Sequence, residues 1–153
     1  MSAPRALPAA LATLLAGLLL AGCSAVPTGP FQEPEYYPDR TSPEAAWQTF
    51  TWAWKTGDVE VLQQVLGGWL RADLDKELAR NGPDATAEYY RRDAVDVVVE
   101  DARWIDKGDA LAYLRVVLRS SAVPRVELDF AFTGRGTSRP AEDWVVTGKK
   151  LVR

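Results

Sequence analysis

Residues 110–133 read ALAYLRVVLRSSAVPRVELDFAFT, and the alternation within them sets the architecture. Ala112, Leu114, Val116 and Leu118 fall on one side, while Tyr113, Arg115, Val117 and Arg119 fall on the other, the period of two of an extended strand. The pattern resumes after Pro124, with Val126, Leu128, Phe130 and Phe132 set against Glu127 and Asp129. A turn centred on Ala122 makes this an antiparallel hairpin in which Leu118 opposes Val126, Val116 opposes Leu128 and Leu114 opposes Phe130. One side of the hairpin is then continuously apolar and the other mostly polar. The same register sets Arg115 opposite Asp129, as a surface cross-strand pair rather than a catalytic dyad.

Two further strands flank the hairpin, near 94–105, where Val95, Val97, Val98 and Val99 raise the β-branched content, and near 142–152. Asp106-Lys107-Gly108-Asp109 and residues 134–140 supply the turns. Upstream the apolar period lengthens to about 3.6 residues. At Thr41-Ser42-Pro43-Glu44 a hydroxyl can cap a helix, Pro43 suits its first turn, and Glu44 three after Thr41 completes a capping-box pattern. Trp47, Phe50, Thr51 and Trp54 share one face of that helix, which stops at Gly57. Asp58 caps a second helix carrying Val59, Leu62, Val65 and Leu66, closed by Gly67-Gly68. A third starts at Trp69, with Leu70, Leu74 and Leu78 one turn apart, and stops at Asn81-Gly82; a short fourth covers 84–92. N-terminal helices followed by an antiparallel meander with one buried face define an α+β class.

The first 23 residues, MSAPRALPAALATLLAGLLLAGC, hold one cation, Arg5, then an apolar run, then Leu20-Ala21-Gly22-Cys23. That is the order of a secretory leader. The last four residues resemble the bacterial lipobox, with Leu20, Ala21 and Gly22 as the signal-peptidase recognition residues and Cys23 as the lipidated residue. Small side chains at Ala21 and Gly22 give a peptidase access, and the Cys23 thiol can carry a thioether-linked lipid. Residues 6–22 are at the short limit for a membrane-spanning helix, and Pro8 interrupts their first turn. The implied organisation is a cleaved signal peptide over 1–22, a lipidated Cys and Pro-rich tether over 23–40, and an α+β domain over 41–153. In the tether, Pro27, Pro30, Pro34 and Pro38 hold the chain toward polyproline II, and Phe31, Tyr36 and Tyr37 are expected to dock on the domain.

The resemblance implies an exported, membrane-anchored protein. Ser24 follows the Cys, so in a cell with two membranes the expected place is the outer membrane facing the periplasm; otherwise it is the outer face of the cell membrane.

Composition removes many chemistries. The chain has no His, which excludes Ser/His/Asp and Cys/His nucleophilic systems and the HExxH zinc site. One Cys allows neither an internal disulfide nor a Cys-built zinc site, and a formal charge of -3 argues against nucleic acid. No spacing resembles a calcium loop, and no Gly-rich stretch forms a phosphate cradle. No metal and no cofactor are expected.

Residues 42–66, SPEAAWQTFTWAWKTGDVEVLQQVL, resemble the opening helices of the nuclear-transport-factor-two-like superfamily, also called SnoaL-like or cystatin-like. Ser42, Pro43, Glu44, Phe50, Gly57 and Asp58 carry that resemblance. It implies a cone in which a curved antiparallel sheet wraps the first long helix. Enzymes of the superfamily use an Asp with a Tyr as oxyanion donor, and the candidates here are Asp96 with Tyr89, Tyr90 or Tyr113. None carries a distinguishing motif, and the large apolar groups Trp47, Phe50, Trp54, Leu114 and Phe130 point to where a pocket would open.

The expected function is therefore a non-catalytic binding or structural module of the bacterial envelope, with an envelope protein or small hydrophobic ligand as partner. The alternative is a small-pocket isomerase or dehydratase using carboxylate and Tyr groups. Trp52 stands about 140° round the helix from Trp47 and either covers a neighbouring element or is exposed as a partner contact.

Overall fold

The computed structural model describes residues 38–152. Leu20, Ala21, Gly22, Cys23 and the tether aromatics lie outside them. Helices α1 (Pro43–Thr56), α2 (Val59–Val65) and α3 (Gly68–Ala94) precede strands β1 (Val98–Lys107), β2 (Leu111–Arg119), β3 (Val126–Gly134) and β4 (Trp144–Leu151). The strands form one antiparallel sheet in the order β1-β2-β3-β4, so the α+β class holds.

Helix ends follow the local chemistry, with one correction. Ser42, not Thr41, caps α1: its side chain accepts the Ala45 N–H at 3.1 Å. Thr41 instead donates both its N–H and its hydroxyl to Asp39 Oδ1 at 2.9 Å, and Glu44 pairs with Lys107 of β1, so no capping box closes. Gly57 ends α1 in the left-handed region at φ 69. Asp58 accepts the Val61 N–H at 3.1 Å and starts α2. Helix α3 is broken at Gly82 (φ 79, ψ 171), with Pro83 opening its second half, which is the stop and restart expected at Asn81-Gly82.

Strand pairing reproduces the expected register: Leu118 with Val126, Val116 with Leu128, Leu114 with Phe130 and Arg115 with Asp129. The first strand starts later than expected, because α3 continues to Ala94, which is buried as a helical residue, and Val95 is exposed in the link. Asp96 fixes that link by accepting the Ser121 N–H of the β2–β3 turn at 2.8 Å. Val117 breaks the alternation. It is buried although it lies on the polar side, opposite Glu127 and between Arg115 and Arg119 along its strand.

The core lies between the helices and the apolar side of the sheet. Leu62, Val65, Leu74, Leu114, Val116, Phe132 and Val146 are fully buried. The Trp47 ring packs edge-on against Phe130 at 5.0 Å, and Phe50 stacks on Trp54 at 6.1 Å, both half-buried. Each large apolar side chain removed from water contributes about 1.5–3 kcal/mol, and this stripe is why α1 sits across the sheet.

Residues before the helices belong to the fold as well. The Asp39 N–H donates to Thr49 Oγ1 at 3.1 Å, and the Thr49 hydroxyl donates back to the Asp39 carbonyl at 2.6 Å. The Trp144 N–H donates to the Arg40 carbonyl at 2.8 Å, and the Arg40 guanidinium reaches Gln64 O at 2.5 Å and Asp143 at 3.2 Å. Contacts of the domain thus reach two residues into the stretch read as tether. Arg40, Leu66 and Gly67 also close the outer edge of β4, through the Leu66–Val146 bridge and the Gly67 N–H on Val146 O at 2.9 Å. The other edge, β1, is guarded by two bulges and by Asp101, Arg103, Asp106 and Lys107.

Candidate functional site

Of the residues named as an acid or a donor, Asp96 and Tyr113 are held apart. Asp96 lies at the end of the sheet where β2 finishes, whereas Tyr113 lies near the start of β2, six residues before Arg119 and so about 20 Å along the strand. Tyr113 is also on the outer side, since its neighbours Ala112 and Leu114 are both fully buried. The Asp96 carboxyl is held below the usual carboxylate range by hydrogen bonds from Ser121, and so remains ionised.

Tyr89 and Tyr90 meet edge to face at 5.4 Å on the second half of α3. Burial, with Tyr89, Glu77, Asp93 and Asp73 adding negative potential, pushes the Tyr90 hydroxyl up to about 12. Asp73 and Glu77 belong to the first half of α3, so their charges act on Tyr90 across the break at Gly82. Among the described residues, no group of three or more His, Cys, Asp or Glu side chains is placed to hold a metal ion.

Trp52 is half-buried and packs against the core. Trp54 is half-buried too, with its Nε1 donating to Asp93 of α3 at 3.0 Å. The Trp104 ring lies 5.3 Å from Phe132 at a β1 bulge, and its buried Nε1 has no partner among the described residues.

What the structure brings together instead is a surface on the outer side of the sheet. Tyr113 of β2 pairs with Ala131 of β3, which pairs with Gly148 of β4. Trp69 at the start of α3 lies against Gly148: a β-carbon on Gly148 would stand 3.4 Å from the indole Nε1. At the other end of the row, Asp106 of β1 pairs with Tyr113, and Ile105 bulges beside it. Tyr113 is 40% exposed, Trp69 49% and Ile105 52%, so two aromatics and an aliphatic rim a floor of small residues.

Alongside runs a charged row, Arg103, Arg115, Asp129 and Lys150, one from each strand. Arg115 donates to both Asp129 oxygens, at 2.7 and 2.9 Å, and also meets Glu127 at 3.4 Å. These bonds, with the nearby Lys150 and Arg103 charges, hold the Asp129 carboxyl below its usual range. The face presents fixed charges beside apolar side chains.

Trp69 was not singled out in the sequence as a surface group. Its position just after Gly67-Gly68, at a helix start and off the Leu70, Leu74, Leu78 stripe, was the available signal.

No family model matches the chain, and no curated protein matches it. Among solved structures it is similar to RPA3114, a SEC-C motif containing protein from Rhodopseudomonas palustris, with 13% identity over 74% of this chain and 80% of that one, at a TM-score of 0.45. A likeness of that degree carries no argument about function.

Proposed function

We propose that the chain is an exported lipoprotein of the bacterial envelope, anchored in the membrane through lipid on Cys23, whose folded domain is a non-catalytic binding or structural module. The observation that carries this reading is Leu20-Ala21-Gly22-Cys23 at the end of an apolar leader with one cation. In a cell with two membranes the module faces the periplasm from the outer membrane; in a cell with one it stands on the outer surface. Among the described residues no helix is long and apolar enough to cross a membrane, and acyl chains would supply the anchorage, about 0.8 kcal/mol per buried methylene.

Binding rather than catalysis is supported by the separation of Asp96 from Tyr113 and by the engagement of the Asp96 carboxylate with the Ser121 N–H. A protein partner or a small hydrophobic ligand fits the exposed Trp69, Tyr113 and Ile105. The cone-like wrap implied by the superfamily resemblance belongs to the same reading; the bulges in β1 and in the β3–β4 pair are the devices that bend such a sheet.

Mass spectrometry of the intact protein from its native host tests the anchor. The expected species starts at an acylated Cys23, and a Cys23→Ser form leaves the membrane fraction. An unmodified Cys23 with residues 1–22 still attached would overturn the reading.

A further inference from the structure

The outer face of the sheet carries two exposed aromatic groups at a spacing that fits one kind of ligand. The geometry points to a binding site for an uncharged, extended polysaccharide of β-1,4-linked pyranose rings, lying across the strands from Tyr113 over Ala131 and Gly148 to Trp69. This rests on the binding half of the reading above and is independent of the lipid anchor.

Spacing is the first ground. Tyr113, Ala131 and Gly148 are direct partners on three neighbouring strands, and the Trp69 indole lies against Gly148. Two strand separations put Tyr113 about 10 Å from Gly148, the length of one disaccharide in an extended β-1,4 chain. Such a chain presents the same ring face at every second unit. Its first and third units therefore meet Tyr113 and Trp69, both exposed, while the second crosses Ala131. The axial C–H groups of a pyranose make an apolar face that can stack on an aromatic ring. Chains with α-1,4 linkages coil and do not hold this repeat.

The floor between the two aromatics is kept low. A β-carbon at Gly148 would touch Trp69 Nε1 at 3.4 Å and Ala131 Cβ at 3.8 Å, so a larger side chain there would fill the passage. Hydrogen-bonding groups stand on both sides of it. On one side Arg115 donates to both Asp129 oxygens at 2.7 and 2.9 Å, and on the other the Thr133 and Thr147 hydroxyls are 3.0 Å apart.

Charge selects the same ligand. Asp106, Glu127 and Asp129 share the face with Arg103, Arg115 and Lys150, and Asp101 and Arg119 add one of each sign. A balanced set of this kind discriminates against a strongly acidic or strongly basic partner. A wholly apolar ligand would cover these ions without bonding to them. Each sugar hydroxyl both donates and accepts, and so can bond carboxylate and guanidinium alike. Because Arg115 and Asp129 already hold one another, little side-chain freedom is lost when the chain binds.

Isothermal titration calorimetry of the full chain in mild detergent tests the proposal. The probes are oligomers of β-1,4-linked N-acetylglucosamine and of β-1,4-linked glucose, with an α-1,4-linked glucose hexamer as control. At least one β-linked series is expected to bind, with affinity rising about tenfold from disaccharide to trisaccharide, the shortest chain that reaches both aromatics. Trp69→Ala and Tyr113→Ala should each weaken binding of the hexamer about tenfold. Gly148→Val, which fills the floor and keeps both rings, should weaken it as much, and it serves where an aromatic replacement lowers the thermal midpoint. Failure of both β-linked hexamers to bind at millimolar concentration would overturn the proposal. So would equal affinity for the α-linked control, or a hexamer affinity that none of the three variants moves. Sedimentation showing a dimer that these substitutions dissociate would assign the face to a second copy and overturn it as well. None of these outcomes bears on Cys23, whose acylation is read separately by mass.

Discussion

Replacing Gly57 by Ala probes the joint on which the helical layer depends. Gly57 is buried at the end of α1 with φ 69, a conformation that costs a residue with a β-carbon about 1–2 kcal/mol. A methyl there would also collide with the Ala87 carbonyl oxygen and approach Arg91 Cγ at 2.9 Å and Nε at 3.0 Å. The Arg91 side chain can move only by giving up its bond to the Thr56 carbonyl, where Nε now donates at 2.9 Å. The Ala87 carbonyl is helix backbone and cannot yield without separating α1 from the second half of α3. Overpacking of this kind costs about 1–3 kcal/mol, so Gly57→Ala should lose about 2–5 kcal/mol in all.

Gly136 provides the control. Its φ of 82 carries the same conformational cost, but a β-carbon there meets nothing within 4 Å, so Gly136→Ala should lose only about 1–2 kcal/mol. Urea unfolding followed by tryptophan fluorescence measures both, with an unchanged slope showing that the unfolding transition itself is the same. Equal losses for the two variants would refute the close approach of α1 to α3. A Gly57→Ala protein as stable as the parent would refute the left-handed cap as well.

Thr49→Val keeps the shape of a fully buried side chain but deletes both hydrogen bonds to Asp39; a loss of about 1–3 kcal/mol is expected, with new proteolytic cutting just before residue 41. A neutral result would show that Asp39 and Arg40 are not part of the folded unit. Tyr90 predicts an alkaline limb: its folded value is raised from 10.0 to about 12, so the neutral hydroxyl contributes stability that is complete below pH 10 and lost as pH rises toward 12. Tyr90→Phe should flatten that limb in melts taken between pH 9 and 12. On the acid side the signs reverse. Asp75, Asp96 and Asp129 are lowered, so their contribution is complete above the ordinary carboxylate value near 4 and disappears as pH falls below it; Asp96→Asn and Asp129→Asn should each make the acid limb shallower.

Much of the fold could be read from short-range patterns because short-range physics governs those features. The register of β2 on β3 follows from alternation on both sides of one turn: a slip of one residue would turn Leu114, Val116 and Phe130 to water. The left-handed end of α1, the Asp58 cap and the break at Gly82 each rest on the conformational range of one or two residues. The proposed leader rests on a pattern that is likewise local, a matter of Arg5, an apolar run and the small residues before Cys23.

The misreadings arose where two local rules competed. Thr41 and Ser42 are equivalent as caps by composition, and what separates them is Asp39, which engages Thr41. Val95 and Val97 look like strand, yet burial of Ala94 extends the helix instead.

Only the tertiary structure decided the candidate surface. Trp69, Ile105, Tyr113, Ala131 and Gly148 come from five separate elements or turns of the chain, and no period links them. They become neighbours because Leu66 and Gly67 pair against β4, which brings the start of α3 to Gly148, and because strand pairing carries the row across the sheet. Asp39 and Arg40 joined the domain for the same reason: their partners, Thr49, Gln64, Asp143 and Trp144, lie 10 to 104 residues away in the chain. Periodicity reports which side of an element is apolar. Which elements share that side, and what is left uncovered on the other, depends on packing that only the folded chain specifies.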